Sequence, residues 1–264
     1  MKKTSVIITT YNWPKALAVV LDSLQHQTIK DFEVIIADDG STPDTRALIE
    51  KKQNTVDFVI KHVWQQDQGF RAAKIRNKAV SESEGDYLLF LDGDSVVRNN
   101  FIEKHLSLAE QGWFISGNRV LLSESFTKRV LQQQLPVYNW SLWQWLLARI
   151  KGDINRWISL LPVNVSFLQK MKKHSWYGAK TCNLSMWKKD FLAVNGFNEA
   201  YEGWGYEDSD LVIRLLNHKL LHKSAKFQAP ILHLWHADNN REKEQENYQR
   251  LLELERSIGK KKDV

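Results

Sequence analysis

At 264 residues, with 43% hydrophobic and 26% charged side chains, the chain has the make-up of an ordinary globular protein with ample material for a core. A net charge of +6 points to anionic partners such as nucleic acid, nucleotides, phosphorylated sugars or an anionic membrane face, although part of the excess sits in Lys170–Lys173 and Lys260–Lys262. A single cysteine, Cys182, excludes an internal disulfide framework and suits a reducing compartment.

The opening MKKTSVIITTYN carries a basic pair, but its apolar block is too short and too soon interrupted for a signal peptide, and no later run is long enough to span a bilayer. The expectation is a cytoplasmic protein. Ser5–Thr10 is a β-branched run that reads as a strand. Asn12–Pro14 stops it and opens a helix over Lys15–Gln27, where Leu17, Val20, Leu21 and Leu24 mark one buried face. A second strand, Phe32–Ala37, ends in Asp38, Asp39, Gly40 and Ser41. The alternation continues with a helix at Thr42–Lys52, a strand at Phe58–Trp64, a helix at Arg71–Ser83 and the apolar run Tyr87–Leu91, closed by Asp92, Gly93 and Asp94. This rhythm predicts βαβ units in a parallel sheet, with right-handed crossovers that bring the strand ends to one edge.

Open α/β sheets bind ligands at that edge. Three polar clusters converge there: Thr10, Tyr11 and Asn12; Asp38 and Asp39; Asp92 and Asp94. A turn or helix cap explains each one separately. Three at successive strand ends are harder to dismiss. Asp92 and Asp94, two residues apart, share a face and offer hard oxygens to a divalent cation that carries a phosphate. Arg71, Lys74 and Arg76 follow Gly69 on the next helix, as a solvated face or as a diphosphate clamp. Neither GxGxxG nor a P-loop is present.

Phe101–Gln111 reads as a helix and Trp113–Gly117 as a strand. From Glu124 to Lys173 the rhythm lapses into a segment rich in aromatic residues (Tyr138, Trp140, Trp143, Trp145, Trp157, Phe167) and cations (Arg149, Lys151, Arg156). It reads as a helical insertion packed over the sheet, as a surface lying on an anionic membrane, or as both. Gly178–Trp187 is expected to return as a strand under the site. Gly196–Arg214 is the second dense signal, a flexible GWGY run followed by Glu207, Asp208 and Asp210 in the first turn of a helix reaching Leu221. Ile231–His236 (ILHLWH) is a short strand-like piece whose histidines, beside a two-oxygen cation site, suit a manganese-like ion. A charged helix over Glu242–Ile258 and a loose tail from Gly259 close the chain.

Taken in order, TTYNWP, FEVIIADDGS, DQGFRAAKIRN, LFLDGDS, GFNEAYEGWGYEDSDLVIRLL and HLWH resemble the family 2 glycosyltransferases of the GT-A fold, over most of Ser5–Asn240 but not Glu124–Lys173. GWGYEDSD looks especially like the galactosyl- and N-acetylgalactosaminyltransferase modules of chondroitin-type polymerases and vertebrate β-1,4-galactosyltransferases. The resemblance implies one α/β domain over 1–264, its mostly parallel central sheet flanked by helices. Within it stand a nucleotide-binding half at 1–118, a helical aromatic-rich insertion at 119–175, an acceptor half at 176–240, and a C-terminal helix with a basic tail at 241–264. It further implies that Thr10, Tyr11 and Asp39 hold the base and ribose, with Asn12 and Gly93 in the same nucleotide-binding set. Arg76 would lie near the diphosphate and Asp92 near the ribose or a water on the metal. Asp94 would bind Mn2+ or Mg2+ directly, with His236 as the distal ligand and His233 as second choice. Asp208 matches the catalytic base, and Trp204, Gly205 and Glu207 line the acceptor and donor sugar. Tyr206 stands where the galactosyltransferase pattern has a second glycine, and Ser209 where it has a third acid, which leaves the donor sugar open.

The reaction so implied is metal-dependent, inverting transfer from a nucleotide-diphosphate sugar of UDP type to a glycan or lipid-linked saccharide. Lipopolysaccharide core or capsule synthesis at the inner membrane face is the setting it suggests, with no nucleic-acid partner. Two other classes stay open on the sequence. A nucleotidyltransferase would want a glycine- and basic-rich phosphate loop where TTYNWPKA stands. A basic nucleic-acid-binding module is opposed by acidic clusters at three strand ends.

Overall fold

The structure, a computed structural model, describes residues 3–262 apart from 162, 164–168, 172 and 239. Phe167 of the aromatic segment and Asp263 and Val264 of the expected tail lie outside the described residues.

Three βα units open the chain: β1 (Thr4–Thr10) with α1 (Pro14–Gln25), β2 (Phe32–Asp38) with α2 (Pro43–Gln53), and β3 (Val59–Trp64) with α3 (Ala72–Ser81). Pro14 and Pro43 each start a helix where φ is already set and no amide partner is needed. As its spacing requires, α1 buries Leu17, Val20, Leu21 and Leu24 completely. β4 (Tyr87–Asp92), β5 (Ser95–Val97), α4 (Phe101–Leu108), β6 (Trp113–Ser116) and β7 (Arg119–Leu121) follow. The insertion then supplies α5 (Glu124–Gln133) and α6 (Leu142–Ile150), each opened by a serine, Ser123 or Ser141, whose hydroxyl accepts from a first-turn amide. β8 (Asn183–Trp187), α7 (Lys188–Ala193), α8 (Glu207–Asn217), β9 (Leu221–Ser224), β10 (Ile231–His233) and α9 (Glu244–Lys262) complete the chain.

Seven strands form the main sheet in the order β3-β2-β1-β4-β8-β6-β9. The first four are parallel, β8 runs antiparallel to both β4 and β6, and β9 is parallel to β6. A second sheet, β5-β10-β7, sets β10 antiparallel to β5 and parallel to β7. Alternate residues of the central strands feed two cores. Val6, Ile8, Val34, Ile36, Leu89 and Leu91 join the core built with α1, α4, α5 and α6, while Ile7, Ile35, Leu88 and Phe90 join the one built with α3, α7 and α8. A sheet covered on both faces explains why these strands read as continuous apolar runs.

Three expectations are corrected. Gly178–Cys182 is a loop, and the strand begins only at Asn183; Gly178 has a left-handed φ of +84° that a strand does not allow. α8 stops at Asn217 because Lys219, at φ +71°, turns the chain into β9, so Leu221 opens a strand instead of closing the helix. α9 continues to Lys262, so Gly259 starts no loose tail. The aromatic insertion sorts by depth. Trp145 is fully buried with Trp140 5.0 Å away, and Tyr138 packs on His26 at 4.7 Å, whereas Trp143 faces outward.

Candidate active site

Register aligns the strand ends as the crossovers require: Thr10 lies beside Asp38, and Thr9 beside Asp92. A cavity of about 760 Å³ opens over this edge. It gathers Thr10, Tyr11, Asp39, Arg76, Asp92, Gly93 and Asp94 from the N-terminal half, and Trp204, Gly205, Glu207, Asp208, His233 and His236 from the C-terminal half. Two expected members are elsewhere. Asn12 is absent from the lining; its Oδ1 accepts the Thr42 amide at 2.8 Å and its own amide donates to Ser41 Oγ at 2.9 Å, tying two turns together. Asp38 accepts the Ser41 amide at 2.8 Å and pairs with His62 at 2.9 Å. Burial opposes its charge, but these bonds outweigh burial and hold the carboxyl below its ordinary value.

On the nucleotide side, Asp39 accepts the Arg71 amide at 2.7 Å and the Gln65 side chain, yet burial still pushes its carboxyl up. The Tyr11 hydroxyl donates to Asp67 at 2.9 Å, leaving the ring half exposed at the mouth. Gly93 is required by space, since a Cβ there would stand 2.9 Å from Thr10 Oγ1. Arg76 lines the cavity, but its guanidinium is committed: Nε donates to Thr9 Oγ1 at 2.8 Å, and the two terminal nitrogens reach Glu207 and Asp92 at 3.1 Å each. Burial disfavours this cation, and the Asp92 and Glu207 charges overcome it and hold its pKa above the ordinary value. Its visible work is to fix two carboxylates.

Asp94, His233 and His236 place one ligand atom each within 4.8 Å of one another, a group able to hold a metal ion. His236 Nε2 stands 3.4 Å from Asp94 Oδ2, and His233 Nε2 stands 3.7 Å from Oδ1. His236 Nδ1 lies 2.7 Å from the Ala237 carbonyl, which only accepts, so hydrogen bonding assigns the proton to Nδ1 and leaves the Nε2 lone pair facing Asp94. That tautomer is the one a metal ligand needs. Burial raises the Asp94 pKa, His233 pulls it down, and the Asp92 charge adds to the rise. A mixed oxygen and imidazole set of this kind fits a manganese-like cation.

The start of α8 also lines the cavity. Glu207 is held by Arg76, and burial followed by the Asp208 charge pushes its carboxyl up. Asp208 Oδ1 accepts the Ser209 amide at 2.7 Å and the Ser209 hydroxyl at 3.3 Å, while Oδ2 faces Lys180 Nζ at 3.4 Å. The GWGY run before it is pinned, contrary to the flexible reading. The Gly203 amide donates to the Phe70 carbonyl at 2.8 Å, Asn247 of α9 donates to the Glu202 carbonyl at 3.0 Å, and Arg241 sits 4.4 Å over the Trp204 ring. Left-handed backbone at Gly205 (φ +108°) and Tyr206 (φ +72°) makes the sharp entry into the helix. Lys180, Arg119 and Trp13 were not anticipated as lining. Lys180 was hidden by the strand reading of its loop; Trp13, edge-on to His236 at 6.2 Å, stood inside TTYNWP with nothing to single it out.

Among known proteins, the family described as Glycosyl transferase family 2 matches residues 5–173, and the one described as N-terminal domain of galactosyltransferase matches residues 163–237. A validoxylamine A glucosyltransferase of Streptomyces hygroscopicus subsp. jinggangensis is 31% identical over 221 residues, 81% of this chain and 51% of that one. The chain spans about half the length of this relative and of two others it matches. TarS of S. aureus in complex with UDP-GlcNAc superposes with a TM-score of 0.59 at 15% identity, covering 90% of this chain and 60% of TarS. The mannosyltransferase PcManGT of Pyrobaculum calidifontis, in complex with GDP-Man and Mn2+, gives 0.59 at 14% identity, covering 88% of this chain and 56% of that one. Both structural likenesses are likenesses of fold.

Proposed function

The chain belongs to glycosyl transferase family 2 and has the GT-A fold, and from that premise we propose that it transfers a sugar, with inversion, from a UDP-type nucleotide sugar to a glycan or lipid-linked saccharide. One observation carries the reading: a single cavity gathers Asp39, Asp92 and Asp94 of the sheet edge together with Asp208. Thr10, Tyr11 and Asp39 hold the base and ribose, and Gly93 lets the chain pass close beneath them. Asp94 and His236, with His233 next to them, hold Mn2+ or Mg2+, which when bound offsets the negative charge of the departing diphosphate. Arg76 keeps Asp92 and Glu207 in place. Trp204, Gly205 and Glu207 shape the sugar-binding wall, and Asp208 Oδ2 takes the proton from an acceptor hydroxyl as that oxygen attacks the anomeric carbon. One displacement from the face opposite the leaving group inverts the carbon. The basic aromatic insertion fits work on a surface glycan, such as lipopolysaccharide core or capsule, at the cytoplasmic face of a membrane. Acid-rich lining opposes nucleic acid, and the family 2 match favours sugar transfer over nucleotidyl transfer.

Asp208→Asn tests the reading. Its melting temperature should still rise with UDP-sugar and Mn2+ as the wild type's does, while transfer falls at least ~100-fold, the lower end of general-base contributions. Wild-type turnover in this variant removes the base assignment. A wild type whose melting point ignores every UDP-, GDP- and CMP-sugar removes the function.

A further inference from the structure

Among the described residues, α6 has two apolar sides. Trp145 and Ala148 turn inward and are buried. On the other side Trp143, Leu147 and Ile150, at the i, i+4, i+7 spacing of one helical face, are 75%, 53% and 72% exposed, and Ile158 just beyond is 59% exposed. A helix that merely covers a core shows polar residues on its outer face. Three large apolar side chains in one row on a single short helix ask for a partner.

The surrounding charge says which partner. Arg149, Lys151 and Arg156 are exposed, and none has a carboxylate partner among the described residues. The one acid between Trp140 and Leu161, Asp153, is buried on Arg129 at 2.6 Å. Apolar side chains whose exposed charged neighbours along the chain are all cations fit the boundary between acyl chains and anionic headgroups. The patch is also tied to the active-site cavity. The Asn155 amide donates to the Leu121 carbonyl at 3.1 Å, the Leu121 amide donates to Asn155 Oδ1 at 3.0 Å, and Leu121 and Leu122 line the cavity.

We propose that the outward face of α6, with Ile158, docks on an anionic lipid bilayer, α6 lying in the headgroup plane with Trp143, Leu147 and Ile150 dipped into it. The proposal rests on the function above only for its purpose, because a lipid-linked acceptor presents its sugar at that surface.

Flotation of the full chain with vesicles tests it. Wild type should float with phosphatidylcholine vesicles containing phosphatidylglycerol, less so as salt rises, and little with phosphatidylcholine alone. The triple variant Trp143→Ser, Leu147→Ser, Ile150→Ser should lose at least tenfold in partitioning, with an unchanged melting temperature and unchanged transfer to a water-soluble acceptor. The pair Arg149→Glu and Lys151→Glu should lose binding to anionic vesicles while the apolar row is intact. Three results overturn the docking: no flotation of wild type, equal flotation of wild type and triple variant, or a wild-type dimer that the triple variant makes monomeric without any vesicle binding. Vesicle binding by a wild type whose melting temperature ignores every nucleotide sugar removes the function instead and leaves the docking standing.

Discussion

Arg76 is the residue on which the two walls of the site depend, since it reaches Thr9, Asp92 and Glu207 at once from a buried position. Its string, DQGFRAAKIRN, marked it as important but not how it would be used. A cation on a helix after a glycine turn reads equally as a phosphate ligand or a solvated side chain, and only the fold could bring Glu207, 131 residues away, against it. The same limit explains Asn12 and Asp38. Type and spacing place a polar residue at a strand end, but whether it faces the cavity or the neighbouring turn is decided by partners such as Ser41 and His62. Removing one member of a buried charge cluster leaves the others uncompensated, so Arg76→Met should cost about 3–5 kcal/mol in urea unfolding at pH 7. Glu207→Gln in the same chain should restore part of that loss. A double-mutant cycle showing independent effects would mean that the Arg76–Glu207 contact carries no coupling.

At the scale of elements, strands β1 to β4 were legible because each is a short apolar block closed by turn residues, and their helices because one face is apolar. β8 was only half legible: Ala179 and Cys182 are buried like strand residues, but they belong to the loop that delivers Lys180. β8 is locked to its neighbours by a buried relay that no pattern announces. The Tyr87 hydroxyl meets Ser185 Oγ at 2.8 Å, Ser185 Oγ meets His105 Nδ1 at 2.7 Å, and His105 Nε2 meets Asn183 Oδ1 at 3.0 Å. The Asn183 amide nitrogen donates to the Ala229 carbonyl at 2.8 Å, so Oδ1 is left to accept, and neutral His105 must donate from Nε2 and accept at Nδ1. Burial pushes His105 down to about 4, against an unfolded value of 6.5, despite the Asn183 bond. Between those values the unfolded chain binds more protons, so stability is complete above pH 6.5 and is lost as pH falls towards 4. The loss amounts to about 3 kcal/mol at 1.4 kcal/mol per pH interval. His105→Gln, which cannot titrate, should flatten this part of the stability–pH curve in urea titrations; an unchanged slope would assign it to other groups.

At the scale of the whole molecule, the site is a joint between two sheets. Asp94 lies in the turn from β4 of the main sheet into β5 of the small one, and His233 ends β10, which pairs with β5 through His233 and Ser95. The Leu234 amide donates to the Asp94 carbonyl at 3.0 Å, so backbone already holds the two segments together, about 140 residues apart in the chain. That distance is why the sequence offered both histidines of HLWH without ranking them by geometry. A cation on Asp94 and His236 would fasten this joint, and binding only to the folded chain must appear as stability. Mn2+ at a hundred times its dissociation constant should add about 2.7 kcal/mol, removed by chelation. Asp94→Asn should abolish the gain. His236→Ala should weaken Mn2+ binding more than His233→Ala, because among the described residues only His236 has a hydrogen bond that fixes its ligand tautomer. The opposite order would make His233 the principal ligand, and full Mn2+ stabilisation in both single variants and in Asp94→Asn would place the cation away from this cluster.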